Sequence, residues 1–337
     1  MISSPRKILI LAAIAAISIP ACKPKRTAAA EPSGASENSG LPTTTGVSDE
    51  ELPKLKRMRE ILGTKLTKKE KDATPPEQPP AGVFDLIHYK GPLGSMAAYL
   101  SPDPKDGKKH PLIIWLVGGF GNDIGNISWE DNAPVENDQS ASAYRKAGIA
   151  MMYPSLRGAN GNPGYQECCC GEADDVLAAA AHAAKLPWVD PKRIYLGGHS
   201  TGGTLALLTA ESADEGQFRA VIAFGPAPSA AAYGQERVPF DIENKNEIAV
   251  RSPYLFLPHL TSPTLVIEGY GGNADALALL RKLNHNPRVS FTEATGMSHF
   301  SVLHPANAVL AAKIANDTGA TCNLSLSDAE IQAAAKK

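Results

Sequence analysis

The chain is 337 residues long, 43% hydrophobic and 20% charged, with a formal net charge of −2. That composition describes one large or two small globular domains rather than a disordered or fibrous chain. Near-neutral charge gives no general electrostatic reason to bind nucleic acid.

At the N-terminus, Arg6 and Lys7 precede an apolar run from Ile8 to Ile19, followed by Pro20, Ala21 and Cys22. A basic start, a short apolar stretch and small residues describe a secretory signal over 1–22, and the run is too short to span a bilayer. "IPAC" resembles the lipobox of bacterial lipoproteins, with Ile19 where leucine is usual. The resemblance implies a lipidated Cys22 and a protein anchored in the bacterial cell envelope, facing the periplasm or exterior. The other reading is an ordinary signal peptide with a chance cysteine.

Residues 23–81 are expected to form a disordered tether. "TAAAEPSGASENSGLPTTTG" and "DATPPEQPPAG" cannot bury a core. The basic "LPKLKRMREILGTKLTKKEKD" between them reads as a solvated spacer or as contact with an anionic membrane surface.

From 82 to 318 the pattern alternates. "VFDLIHY" and "SMAAYLS" read as paired early strands. "PLIIWLV", "GIAMMYP", "RIYLGG", "AVIAFG" and "TLVIEG" are short apolar runs bounded by turns, as expected of buried parallel strands. Helical stretches lie between them, from "SASAYRKAG" and "EADDVLAAAAHAAKL" through "GTLALLTAESA" and "DALALLRKLN" to "PANAVLAAKIAND". The expected fold is α/β, a mostly parallel doubly wound sheet with helices on both faces, a short cap segment over 226–262 and a C-terminal tail over 319–337. In such sheets the active crevice lies at the carboxyl ends of the strands.

Ser200 falls at such an end, in "GGHSTGG". Gly198 and Gly202 give the spacing G-x-S-x-G, in which a sharp elbow between strand and helix projects the serine hydroxyl clear of the sheet. The plain alternative is a polar turn, because glycine, serine and threonine gather at turns anyway. With "SPTLVIEG" and "GMSHF", the elbow resembles the α/β-hydrolase fold. "YPSLRGANGNPG" and "VDPKRIYLGGHSTGG" resemble the catalytic domain of the prolyl oligopeptidase family and its dienelactone-hydrolase-like neighbours, over roughly residues 83 to 316, without a β-propeller.

The resemblance implies a serine hydrolase acting on an ester or peptide substrate, with no cofactor and no metal. A serine hydroxyl needs a base, and in this fold the base follows the nucleophile in the chain. Of His259, His285, His299 and His304, only His299 sits in the loop after the last strand. His304 reads as helix entry, His285 as a turn residue, and His199 as packing beside the elbow. The oxyanion donors are expected at the backbone of Thr201 and of Gly119 or Phe120, in "WLVGGFGN". For the acid, Asp275 is preferred to Glu268 because the triad acid normally lies beyond the strand. Asp275 could equally serve the helix dipole alone.

Cys168, Cys169 and Cys170 lack zinc spacing, and a disulfide from this loop to Cys322 is compatible with an oxidising compartment. Asp174 and Asp175 read as helix-start residues. A non-catalytic binding lipoprotein on the same fold, and an acyltransferase on the same triad, are the competing readings.

Overall fold

A computed structural model describes residues 54–130 and 134–336. The signal segment, Cys22 and residues 23–53 of the expected tether lie outside the described residues.

Helix α1 (Leu55–Leu62) comes first, followed by strands β1 (Asp85–Lys90), β2 (Ser95–Leu100) and β3 (His110–Leu116). Next come α2 (Ala143–Lys146), β4 (Ala150–Pro154), α3 (Glu172–Ala183), β5 (Val189–His199), α4 (Thr201–Ser212) and β6 (Val221–Phe224). The cap carries α5 (Lys245–Ala249) among short 3-10 turns. The chain closes with β7 (Thr264–Gly269), α6 (Ala274–Leu283), β8 (Val289–Ala294), α7 (Leu303–Ala315) and α8 (Asp328–Ala335).

The strands form one sheet in the order β1-β2-β4-β3-β5-β6-β7-β8, with β2 antiparallel to both neighbours and every other pairing parallel. Strands covered on both faces must be apolar on both, which is why β3 reads "LIIWL" without alternation. Leu112, Ile114 and Leu116 join the core on the side of α1, α3, α4 and α6, while Ile113 and Trp115 join the core with α2, α7 and α8. Burying each such side chain contributes about 1.5–3 kcal/mol, so the sheet is the rigid part of the molecule. The strand order reverses between β3 and β5, and that switch point opens the crevice in which the site lies.

The elbow follows from close packing. A Cβ on Gly202 would collide with the Leu116 carbonyl at the end of β3, so only glycine lets α4 start this near the sheet. Ser200 carries the strain, at φ 56° and ψ −116°.

Part of the expected tether is folded. Leu55 and Met58 of α1 are buried against the core. Arg59 donates to Asp174 Oδ1 at 2.7 Å and to the Cys170 carbonyl at 2.5 Å. Residues 63–81 continue as a strap. Thr67 N donates to Pro239 O at 2.7 Å, Asp72 N to Gly158 O at 2.7 Å, and Tyr99 Oη to Glu77 O at 2.7 Å. The boundary at residue 81 is therefore corrected: a helix needs only one narrow apolar stripe to dock. In the C-terminal stretch, α8 buries Ile331 and opens with a capping box between Ser327 and Glu330.

The disulfide that the sequence permits from the Cys168–Cys170 loop to Cys322 is not formed. All four described cysteines are free. Cys168–Cys170 lie on one side of the sheet, and Cys322 packs against the core on the other. Asp175 does more than begin a helix, since it is fully buried and holds Arg157 through both carboxylate oxygens, at 2.9–3.0 Å.

Candidate active site

Three loops converge at the carboxyl end of the sheet. Ser200 N donates to the Phe224 carbonyl at 2.7 Å, tying the elbow to the end of β6. The next residue, Gly225, turns at φ 55° and donates to Ile267 O of β7 at 2.8 Å. A Cβ on Gly225 would lie 2.6 Å from His299 Nδ1 and 2.7 Å from Glu268 Oε2. The imidazole and carboxylate therefore occupy the space that a side chain at 225 would fill.

His299 Nδ1 and Glu268 Oε2 are 2.8 Å apart, with Glu268 only 1% exposed. The carboxylate is well supplied with donors: Gly269 N reaches Oε1 at 2.7 Å and Asn273 N reaches Oε2 at 3.1 Å. An acceptor-only carboxylate fixes Nδ1 as the protonated nitrogen, leaving Nε2 as the basic one. Asn273 Nδ2 also approaches Nδ1, at 3.4 Å, a weaker contact than the carboxylate makes. No hydrogen bond joins the Ser200 hydroxyl to His299 among the described residues. Such bonds are often long before substrate arrives.

On the opposite wall, Thr201 Oγ1 donates to the Gly119 carbonyl and fastens the loop after β3 to the first turn of α4. Thr201 N–H stands at the helix start, where amides have no intrahelical partner. Gly118 N is already taken by Gln139 Oε1 at 3.2 Å, which leaves Gly119 and Phe120 to supply a second amide. Phe120 is exposed, edge-on to Tyr233 of the cap at 5.4 Å between ring centres.

Residues 136–271 match the prolyl oligopeptidase family. No curated protein matches the chain. Among solved structures it is similar to dipeptidyl peptidase 4 of Porphyromonas gingivalis, at 21% identity and TM-score 0.50, over 64% of this chain and 32% of that one. It is similar to the acylaminoacyl peptidase of Pyrococcus horikoshii, at 17% identity and TM-score 0.53, over 75% of this chain and 44% of that one. The Pyrobaculum calidifontis esterase aligns at 18% identity and TM-score 0.50, over 77% of this chain and 89% of that one. The chain thus spans less than half the length of either peptidase and most of the length of the esterase. The fold is that of the α/β-hydrolases.

On this fold the preference for Asp275 is corrected: His299 pairs with Glu268. The loop after β7 turns back at once, with Gly272 N donating to Gly269 O at 2.8 Å, so α6 begins before a carboxylate beyond the strand can reach the imidazole. Asp275 is exposed in the first turn of α6, where the dipole favours an acid. Asn273 heads that helix, but its side chain makes no capping bond. His285 lies in the irregular stretch between α6 and β8, and His304 stands in the first turn of α7, 3.4 Å from Asp138.

His199 does more than pack. Its Nε2 donates to the His299 carbonyl at 3.0 Å, its ring lies 4.4 Å from the His299 ring, and Gln139 Nε2 donates to its Nδ1 at 2.8 Å. Gln139 thereby links the loop after β3 to the loop that carries His299. No local pattern marks Gln139 in the sequence, since its partner is 60 residues away. Burial, together with the charge of His299, pushes His199 down to about 3.

That depression makes stability pH-dependent. The unfolded imidazole titrates near 6.5, so below that pH the unfolded chain takes up a proton that the folded chain refuses. The contribution is complete above pH 6.5 and is lost progressively as pH falls toward 3. At pH 5 the loss amounts to about 2 kcal/mol. Urea titrations between pH 5 and 7 should show this slope, and His199→Gln should flatten it. A wild-type profile no steeper than the variant's would refute the account.

Gly225→Ala should cost about 10²-fold in turnover by displacing the imidazole, with the fold retained. Steady-state kinetics beside a circular dichroism spectrum checks both halves.

Proposed function

We propose that the protein is a serine hydrolase that cleaves small carboxylic esters, and peptide-like amides more slowly, through an acyl-enzyme. His299 Nε2 takes the proton of Ser200 Oγ as the oxygen attacks the substrate carbonyl. The resulting oxyanion is held by Thr201 N–H and by the amide of Gly119 or Phe120. His299 then protonates the leaving group, and water, activated by the same nitrogen, releases the acid. Glu268 orients the imidazole and stabilises its charged form.

One observation carries this reading: a serine strained on a strand-to-helix elbow shares the Phe224–Gly225 corner with a carboxylate-held imidazole. Among the described residues the site is covered by the 226–262 cap and the 63–81 strap, and this slight cover supports the preference for esters. A fluorophosphonate probe should label the wild type and not Ser200→Ala, and p-nitrophenyl esters should outrank prolyl peptides. Labelling that survives the substitution would remove the proposal. Efficient peptide cleavage with esters untouched would reverse the ranking.

We further propose that Cys22 is lipidated and that the protein is anchored at the envelope membrane. The wild type should fractionate with membranes and Cys22→Ser should not. A soluble periplasmic wild type would overturn that proposal.

A further inference from the structure

A buried amide stands between the oxyanion loop and the loop that carries the base. Gln139 lies in the connection from β3 to α2 and is 6% exposed, and among the described residues neither it nor His199 lines the cavity beside the elbow. Both of its amide hydrogens and its amide oxygen are engaged. Nε2 donates to Asn137 Oδ1 and to His199 Nδ1, each at 2.8 Å, while Oε1 accepts from Gly118 N at 3.2 Å. Its main chain is fixed as well, because Trp115 Nε1 of β3 donates to the Gln139 carbonyl at 2.9 Å.

The last acceptor in this chain of hydrogen bonds sets the protons of the rest. His199 Nε2 faces the His299 carbonyl, which can only accept, so Nε2 carries the proton. In a neutral ring Nδ1 is then an acceptor, and the Gln139 N–H is the donor it requires. Burial, and then the neighbouring His299, hold the ring neutral. His299 is the titratable side chain that faces it, at 4.4 Å between ring centres, with Phe300 beside both. Asp138, next to Gln139 in the chain, is turned instead to Ser140 and His304. The loop after β3 rests directly on the imidazole, since a Cβ on Gly118 would lie 2.8 Å from His199 Nδ1.

We infer that Gln139 is a positioning residue for acyl transfer, one amide that sets the oxyanion loop and the base against each other. Its oxygen holds the loop at Gly118, one residue before Gly119 and Phe120. Its N–H holds His199, and His199 holds the main chain of His299. Ser200 follows His199 directly, so the nucleophile belongs to the same chain. An apolar residue of equal size would fill the space but leave Gly118 N and His199 Nδ1 without partners, and both loops would shift to find them. A displacement of about 1 Å is enough to cost about 10²-fold in rate. This role rests on the serine-hydrolase reading and adds to it the side chain that fixes the spacing of the site.

The test is steady-state hydrolysis of p-nitrophenyl acetate from pH 5 to 9, less the uncatalysed rate, by the wild type, Gln139→Met and Gln139→Glu. Gln139→Met should lower kcat about 10²-fold while KM stays within a few-fold. Gln139→Glu keeps an acceptor for Gly118 N but offers His199 no donor, so His199 takes a second proton and pairs with the new carboxylate. That imidazolium faces the His299 ring at 4.4 Å, with the carboxylate on its other side. It should move the acid limb of kcat/KM down by about one pH unit. A residue that only supported the fold would change the height of the profile and not its position.

The histidine nitrogen-15 NMR spectrum supplies a readout without turnover. From pH 5 to 8, wild-type His199 should show a protonated Nε2 and a bare Nδ1, and Gln139→Glu should show both nitrogens protonated. If Gln139→Met fails to fold, the isosteric glutamate variant and the wild-type spectrum carry the test. A wild-type His199 protonated on Nδ1, a Gln139→Met variant with wild-type kcat, or an unmoved acid limb in Gln139→Glu would each overturn the inference and leave the hydrolase reading intact. Absence of ester turnover in the wild type would instead remove the hydrolase reading, and this role with it.

Discussion

Glu268→Gln should lower turnover of an activated ester about 10⁴-fold, while Asp275→Asn should leave it within a few-fold of wild type. The glutamine keeps the volume of the side chain, and Gly269 N can still donate to its carbonyl oxygen in the Oε1 position, whereas Asn273 N loses its acceptor when the amide nitrogen takes the Oε2 position. It can, however, present an amide N–H to His299 Nδ1 at the 2.8 Å now spanned by the carboxylate. A donor there favours the tautomer with Nδ1 as acceptor, which puts the proton on Nε2 and disables the base. The charge that stabilises the imidazolium is lost as well. Asp275 is exposed and belongs to the helix start, so its amide variant changes only a dipole interaction of under about 1 kcal/mol. Parallel kinetics on the two purified variants separates them. A large loss in Asp275→Asn with none in Glu268→Gln would reverse the assignment made from the geometry.

What could be read in the sequence and what could not divides along physical lines. Parallel strands buried on both faces announce themselves as unbroken apolar runs, and the elbow announces itself because only small residues let α4 begin against β3. Glu268 also left a signal: a lone acid ending the apolar run "TLVIEG" is expensive to bury without a partner. That signal was outweighed by the usual position of the acid beyond the strand, and the tight turn at Gly272 decided otherwise. Helix α1 was hidden because its docked face is small and its remaining residues are charged, so its composition matches a spacer. Its anchors, Asp174 and the Cys170 carbonyl, lie more than a hundred residues away. Gln139 was illegible for the same reason: it is an ordinary polar residue until the fold brings its partners to it.

Ser200 supplies a sharper test of the elbow than loss of activity alone. Ser200→Ala and Ser200→Gly both remove the hydroxyl and should each cost about 10⁶-fold in turnover, leaving the residual rate that oxyanion donors and binding provide. Their stabilities should differ. At φ 56° and ψ −116° a side chain carries backbone strain of about 1–3 kcal/mol, and alanine keeps the Cβ that causes it. Glycine releases that strain but gives back about 0.5–1 kcal/mol through the greater freedom of its unfolded chain. The net expectation is that Ser200→Gly is more stable than Ser200→Ala by about 1 kcal/mol, the reverse of the usual order of these two residues. Urea unfolding of both variants, at a pH above 6.5 where the His199 contribution is complete, reads the difference directly. Should the alanine variant prove the more stable, Ser200 would hold no strain, and the elbow would be an ordinary turn that happens to contain a serine.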